Sequence, residues 1–224
     1  MLTRIKICGV KEPQTASVAG EAGADAIGLV FVDRSVRQVD VIRARDIVAA
    51  LPPFVEPVAL FVDAPVAQIR KTANVLGLRT VQLHGRESPD DVAALRPLRV
   101  IKALGFDQIE NGNAELKRFG ALENLAGLLL DAPPVAGQLP GGSGRTFDWH
   151  ALASKRMRHV LPQQVRRILA GGLSHANVAE AIGVVRPYAV DVSSGVESEP
   201  GVKEPKKIHT FCQAVRQADR ELEV

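Results

Sequence analysis

The sequence predicts an α/β fold, a single-domain (β/α)8 barrel over residues 1–224. Eight short apolar runs alternate with longer amphipathic stretches from end to end, the pattern of parallel strands joined by right-handed crossovers. A chain of 224 residues holds eight such units with little to spare, as a compact TIM barrel requires. No linker, low-complexity tract or strong internal repeat divides it. The rival architecture is an open doubly wound sheet. A Gly-x-Gly-x-x-Gly turn after the first strand would favour it, and Cys8-Gly9-Val10-Lys11 does not supply one.

The elements follow in order. Residues 4–8 form the first strand; if Cys8 points into the barrel, so does Lys6, while Ile5 and Ile7 face the helices. A helical pattern rich in Ala, Val and Glu covers 12–22, a strand 26–31, and a second helix 39–51. Strand three spans 58–62 and its helix 65–76; strand four spans 80–84 and its helix 89–95. Gln82 shares the face of His84. Strand five covers 99–103, with a helix near 114–119. Strand six, 127–131, contains Leu128-Leu129-Leu130, the apolar run of a strand buried on both faces, and stops at Asp131. A Pro- and Gly-rich loop follows, then Phe147-Asp148-Trp149, where Asp148 is placed to cap a helix over 149–154. Strand seven (167–170), a helix (176–182), strand eight (188–192) and a helix (206–221) close the pattern, with Asp191 on the face of Ser193.

Composition excludes several function classes. A net charge of +3 with no clustered lysines and arginines does not make a nucleic-acid binder. The two cysteines, Cys8 and Cys212, have no metal-type spacing and read as reduced thiols. No apolar run reaches a membrane span, and the N-terminus lacks the apolar core of a signal peptide, so the expectation is a cytoplasmic protein.

A barrel keeps its site at the C-terminal ends of its strands. Cys8, Arg37, His84, Asp131, Ser193 and Ser194 fall there, and charges inside the barrel, with Lys6, Asp191 and Lys102 as candidates, must be paired. A free cysteine is usually a small buried hydrophobe, but Cys8 ends a strand before a glycine turn, where a thiolate acts as base or nucleophile in an electropositive site. Asp131 is separated from the next helix by a whole loop, which argues against a capping role. Glycine turns follow three consecutive late strands, at 141–144, 171–172 and in Ser193-Ser194-Gly195. Turns need glycine in any case, but the loops after strands seven and eight are where barrels bind phosphate. Lys102 sits on a strand as a Schiff-base lysine would, although an interior ion pair is the simpler reading. His150, His159, His175 and His209 read as surface residues.

Seven segments, in order, resemble one family. They are Lys6-Ile7-Cys8-Gly9, residues 23–28, Val81-Gln82-Leu83-His84-Gly85, the stretch from Gly142-Ser143-Gly144 to Phe147-Asp148-Trp149, Ala170-Gly171-Gly172-Leu173, residues 191–197 and Pro200-Gly201-Val202-Lys203. Together they are similar to the phosphoribosylanthranilate isomerases of tryptophan biosynthesis. The resemblance implies an Amadori rearrangement of a phosphorylated aminosugar, without metal or organic cofactor. It implies Cys8 as general base, Asp131 as general acid, and Arg37 as holder of the anthranilate carboxylate. It further implies His84 and Asp191 as polar residues of the mouth. Gly142, Ser143, Gly144, Gly172, Ser193, Ser194 and Gly195 take the phosphate positions, to which the turn adds Gly171. Such chemistry calls for an acid kept protonated and a thiolate kept charged. The stretch 32–38 around Arg37 lacks the family's proline and aromatic residue.

The resemblance implies a small phosphorylated substrate as partner, with no nucleic acid or membrane, and a monomer or homodimer. The competing readings are a Schiff-base lyase using Lys102, a related isomerase of histidine biosynthesis, and an inactive phosphate-binding barrel. The histidine enzyme carries an aspartate where this chain has Cys8.

Overall fold

The computed structural model describes residues 2–110, 115–133, 141 and 144–222. β1 (Arg4–Cys8), β2 (Ala26–Val30), β3 (Glu56–Phe61), β4 (Thr80–Leu83), β5 (Arg99–Gly105), β6 (Leu125–Asp131), β7 (Arg167–Leu169) and β8 (Ala189–Val192) pair in sequence order into a closed parallel barrel. β1 pairs with both β2 and β8, which sets Lys6 opposite Asp191 and Cys8 opposite Gly28. The expected fold is therefore present.

Strand alternation divides the core into two shells. Ile7, Ile27, Phe61, Val81, Leu130 and Val190 face outward into the large core beneath the helices. Val58, Ile101, Ala103, Leu129, Ile168 and Ala189 fill the barrel interior. Burying each large apolar side chain contributes about 1.5–3 kcal/mol. Above the interior plug, toward the strand C-termini, Cys8 packs with Val30, Val32 and Leu60. Ile5 and Ile7 do face the helices.

Local signals fix the helices. α1 (Pro13–Glu21) opens on proline, which tolerates the first turn because its missing N–H has no helical partner there. α2 (Val41–Ala49) is capped by Asp40, whose carboxylate accepts from the Arg43 amide at 2.7 Å. α3 (Val66–Leu76) ends at Gly77 in the left-handed region, with φ +66. α4 (Pro89–Ala94) begins with a capping box between Ser88 and Asp91. α5 (Phe106–Glu110) and α6 (Glu115–Gly120) follow β5. Asp148 caps α7 (Trp149–Ala153) as expected, accepting from the Ala151 amide at 2.9 Å. α8 (Lys155–Val160), α9 (Val178–Val185) and α10 (Pro205–Glu221) complete the outer layer.

Three features differ from the sequence reading. α5 and α8 are short extra helices, and an antiparallel hairpin, β9 (Glu197–Glu199) and β10 (Val202–Lys203), precedes α10. Segments of two to six residues are too short to show a period. His84 and Ala170 stand just past their strands rather than in them.

Candidate active site

The strand C-termini open onto a cavity of about 410 Å³, within the size range of small-molecule sites. Cys8, Arg37, His84, Asp131, Asp191, Ser193 and Ser194 all line it, together with Gly171 and Gly172. Residues separated by up to 186 positions in sequence are thus gathered at one mouth by the barrel topology.

At its floor, Lys6 Nζ donates to Asp191 Oδ1 at 2.7 Å, and both side chains are buried. The interior pairing expected of these two residues is present. Lys6 and Cys8 also share the space beside Gly28. A Cβ at Gly28 would lie 2.7 Å from Cys8 Sγ and 3.2 Å from Lys6 Nζ, so glycine is what lets thiol and ammonium meet. Burial opposes the charge on Lys6, but Asp191 and Cys8 together hold its ammonium above the ordinary lysine value. Burial pushes the Cys8 thiol up from its ordinary value, and Asp191 adds to this, against the opposing pull of Lys6 and Lys203. Desolvation in the barrel and the Asp191 charge thus outweigh the two ammonium groups and hold the Cys8 ionisation above its ordinary value.

Asp131 ends β6 with its Oδ1 accepting from the Ala132 amide at 2.8 Å and its Oδ2 3.2 Å from His84 Nε2. The other imidazole nitrogen, Nδ1, lies 3.2 Å from the Gln82 amide nitrogen, so Gln82, His84 and Asp131 form a row across the mouth. Gly171 has φ +82, and a Cβ there would lie 2.7 Å from the Ala132 amide and 3.1 Å from Asp131 Oδ1. That glycine makes room for the acid itself.

Arg37 lies across Gly9, where a Cβ would come 2.6 Å from its Cδ. Its Nε and Nη2 each donate to Glu197 at 2.8 Å. Lys203 donates to Glu197 Oε1 at 2.7 Å and to Ser193 O and Oγ at 3.0 and 3.1 Å. Burial raises the Glu197 carboxyl, but the hydrogen bonds from Arg37 and Lys203 outweigh it and bring the group down to about 2. Glu197 and Lys203 appeared in the sequence only as motif letters. A charged residue on each side of the Pro200-Gly201 turn was the available signal.

The phosphate candidates separate. Gly172 and Ser194 line the cavity, and a 3-10 turn over Ser194–Val196 stands where barrels place a short extra helix. Ser193 Oγ donates to Cys8 O at 3.0 Å, so its hydroxyl proton is committed to the protein. Gly144 stands beside Ser194, its ideal Cβ 3.6 Å from Ser194 Oγ, and Gly195 packs against the Leu173 carbonyl. Gly142 and Ser143 lie outside the described residues.

Lys102 is not in the cavity lining. It shares strand parity with Val100 and Leu104, which face the helices, and its ammonium binds Glu87 Oε2 at 3.0 Å and Gly85 O at 2.8 Å. The expectation of a charge inside the barrel is corrected by one residue of parity: Ile101 and Ala103 take the interior positions. His150, His159, His175 and His209 are exposed. Among the described residues no helix is long and apolar enough to cross a membrane.

A closed parallel barrel with a cysteine sulfur and an aspartate carboxyl facing one cavity at its C-terminal mouth is the layout of an enzyme that moves protons on a small substrate. The family model described as N-(5'phosphoribosyl)anthranilate (PRA) isomerase matches residues 5–214, and the chain belongs to that isomerase family. The N-(5'-phosphoribosyl)anthranilate isomerase of Pseudomonas savastanoi pv. phaseolicola is 46% identical over 213 residues, 95% of this chain and 97% of that protein. The crystal structure of phosphoribosyl anthranilate isomerase from Thermotoga maritima superposes with a TM-score of 0.82 at 37% identity, covering 96% of this chain and 100% of its own. A structure of the isomerase in complex with reduced 1-(o-carboxyphenylamino)-1-deoxyribulose 5-phosphate matches at TM-score 0.79 and 34% identity, covering 96% of this chain and all of the other.

Proposed function

We propose that the chain carries out its family's rearrangement, N-(5'-phosphoribosyl)anthranilate to the carboxyphenylamino-deoxyribulose phosphate, with Asp131 as acid and Cys8 as base. The observation that carries the reading is that both groups, buried and three strands apart around the ring, line one cavity with separate partners. Asp131 gives its proton to the furanose ring oxygen, and the sugar opens to an iminium. Cys8, once its own proton has passed to solvent, takes the proton from ribose C2 as a thiolate and leaves an enolamine. Protonation at C1 and loss of the C2 hydroxyl proton give the ketone, so the step is an isomerisation with no external oxidant or reductant.

The partners fit those roles. Donation turns Asp131 into a carboxylate beside the Ala132 amide and His84 Nε2. Proton loss turns Cys8 into a thiolate beside the Lys6 ammonium, which stabilises it as it forms. Arg37 takes the anthranilate carboxylate. Gly142, Ser143 and Gly144, with Gly172, Ser194 and Gly195, hold the phosphate at the sugar's other end, where the 3-10 turn carries Ser194 and Gly195; Ser193 contributes through its backbone. Asp191 serves the site through Lys6. The Schiff-base reading has no support at Lys102, whose ammonium is buried against Glu87 and two carbonyls.

The test is the loss of phosphoribosylanthranilate fluorescence on adding enzyme. Cys8→Ala and Asp131→Asn, each verified as folded by circular dichroism, should slow turnover by about 10²–10⁴-fold, the usual weight of a positioned acid or base. Near-normal rates in either variant overturn that residue's role.

A further inference from the structure

Arg37 has five N–H donors, and the protein consumes one edge of that fork. Glu197 accepts from Nε and Nη2, each at 2.8 Å, which fixes the guanidinium plane; among the described residues no hydrogen bond takes the Nη1 end, and Arg37 lines the cavity. The opposite constraint comes from Gly9, whose open α-carbon lets the Arg37 stem lie flat on the β1 turn.

Glu197 is itself immobilised. It is 7% exposed, and Lys203 binds the same Oε1 that accepts from Arg37 Nε. Lys207 Nζ donates to the Glu197 carbonyl at 2.7 Å. The hairpin of β9 and β10 presses on the Arg37 loop: Gly201 has φ +84, and a Cβ there would lie 2.5 Å from the Val36 carbonyl. Lys203 then runs on to Ser193, whose hydroxyl binds the Cys8 carbonyl. One continuous chain of contacts thus ties the arginine to the backbone of the base.

We propose that Glu197 is the positioning residue of a carboxylate subsite: it turns Arg37 so that a single ligand carboxylate meets the end of the fork, in register with the reacting carbons. The inference rests on the assignment of Arg37 under Proposed function. Charge points the same way. Arg37 and Lys203 bring two positive charges and Glu197 one negative, so the cluster keeps one net positive charge for one carboxylate.

The experiment compares two probes, anthranilate and inorganic phosphate, as inhibitors of the full chain carrying Glu197→Gln, with Arg37→Ala as reference. Charge alone predicts tighter anthranilate in Glu197→Gln, because a cation loses its balance. Positioning predicts the reverse: anthranilate weakened about tenfold or more and KM raised in step, with phosphate inhibition within about twofold of the parent, since misplacement of a binding group by an ångström is costly. Anthranilate inhibition that tightens or stays constant in Glu197→Gln, while Arg37→Ala loses it, overturns the role of Glu197 alone. Equal weakening of both probes also overturns it, as that marks a collapsed mouth. Unchanged anthranilate in Arg37→Ala removes the carboxylate assignment itself, and the inference with it. Should Glu197→Gln fail to fold, Glu197→Asp keeps the charge beside Lys203 but withdraws it from Arg37, and the same separation of the two probes is expected.

Discussion

Lys6 Nζ lies 2.7 Å from Asp191 Oδ1, and the same ammonium flanks Gly28 together with the sulfur of Cys8. Residues 185 positions apart meet because β1 and β8 close the barrel with Lys6 opposite Asp191. The aspartate anchors a cation that the base needs only after it has given up its proton. The pair therefore holds a positive charge at the thiol while keeping the buried floor neutral.

Replacing Lys6 by methionine should separate these two effects. Removing one partner of a buried pair costs about 3–5 kcal/mol, read as a lower urea midpoint. Lys6 pulls the Cys8 ionisation down, so its loss moves that ionisation further up from the already raised position. Alkylation of Cys8 by iodoacetamide, followed against pH, should shift toward higher pH in the variant. In the parent, the same raised thiol makes kcat/KM climb as pH increases toward the thiol's ionisation, and Lys6→Met displaces that limb upward. Superimposable alkylation curves would show that the ammonium does not act on the thiol.

Gly28→Ala tests the same contact without touching a charge. The added methyl would stand 2.7 Å from Cys8 Sγ and 3.2 Å from Lys6 Nζ, closer than neighbouring atoms tolerate. Thiol and ammonium must part to admit it. Turnover should fall by about 10–100-fold through misplacement of the base. Phosphate inhibition should stay at the parent value, because the phosphate turns lie on other strands. A variant with full kcat would mean the thiol tolerates displacement.

Most of this layout was legible because strand parity is a strong rule. The alternation of Ile5, Lys6, Ile7 and Cys8 gave the direction of each side chain, and the apolar run before Asp131 gave the end of β6. Lys102 escaped because parity on an isolated strand has two solutions; only the packing of Ile101 and Ala103 into the interior chooses between them. Glu197 and Lys203 escaped for another reason. They act through a two-residue turn and a short hairpin, and no periodicity marks partners brought together by a tight turn. The state of the Cys8 thiol was beyond reach as well, since it depends on how burial balances against two lysines from distant segments.

Lys102→Met distinguishes a structural lysine from a chemical one. Glu87 would be left buried without its cation, with a stability loss of about 3–5 kcal/mol. Glu87 also accepts from the amides of Asp63 and Gly85, so the loop after β4 should loosen. The folded fraction should keep kcat within about threefold of the parent, as no removed atom lines the cavity. Borohydride with a keto-acid substrate should leave no adduct on Lys102 by mass spectrometry. An adduct there, or a collapse of kcat in folded protein, would restore the Schiff-base reading.

Acid titration of stability should report Glu197. Its carboxyl is brought from the ordinary 4.5 down to about 2 in the folded chain, because Arg37 and Lys203 bind the ionised form. A carboxyl lowered by folding contributes stability that is fully present above the unfolded value and disappears as pH falls through the folded one. The window is therefore from about pH 4.5 to about pH 2, and the contribution about 3 kcal/mol at neutral pH. Urea unfolding at stepped pH should show the parent losing that amount across the window. Glu197→Gln should start lower at pH 7, because Arg37 and Lys203 lose their shared anion, and decline less steeply below pH 4.5. The two curves should converge near pH 2, where the parent's carboxyl is being protonated too. Parallel curves through the window would show that Glu197 titrates normally in the folded chain, and that Arg37 and Lys203 do not hold its charge.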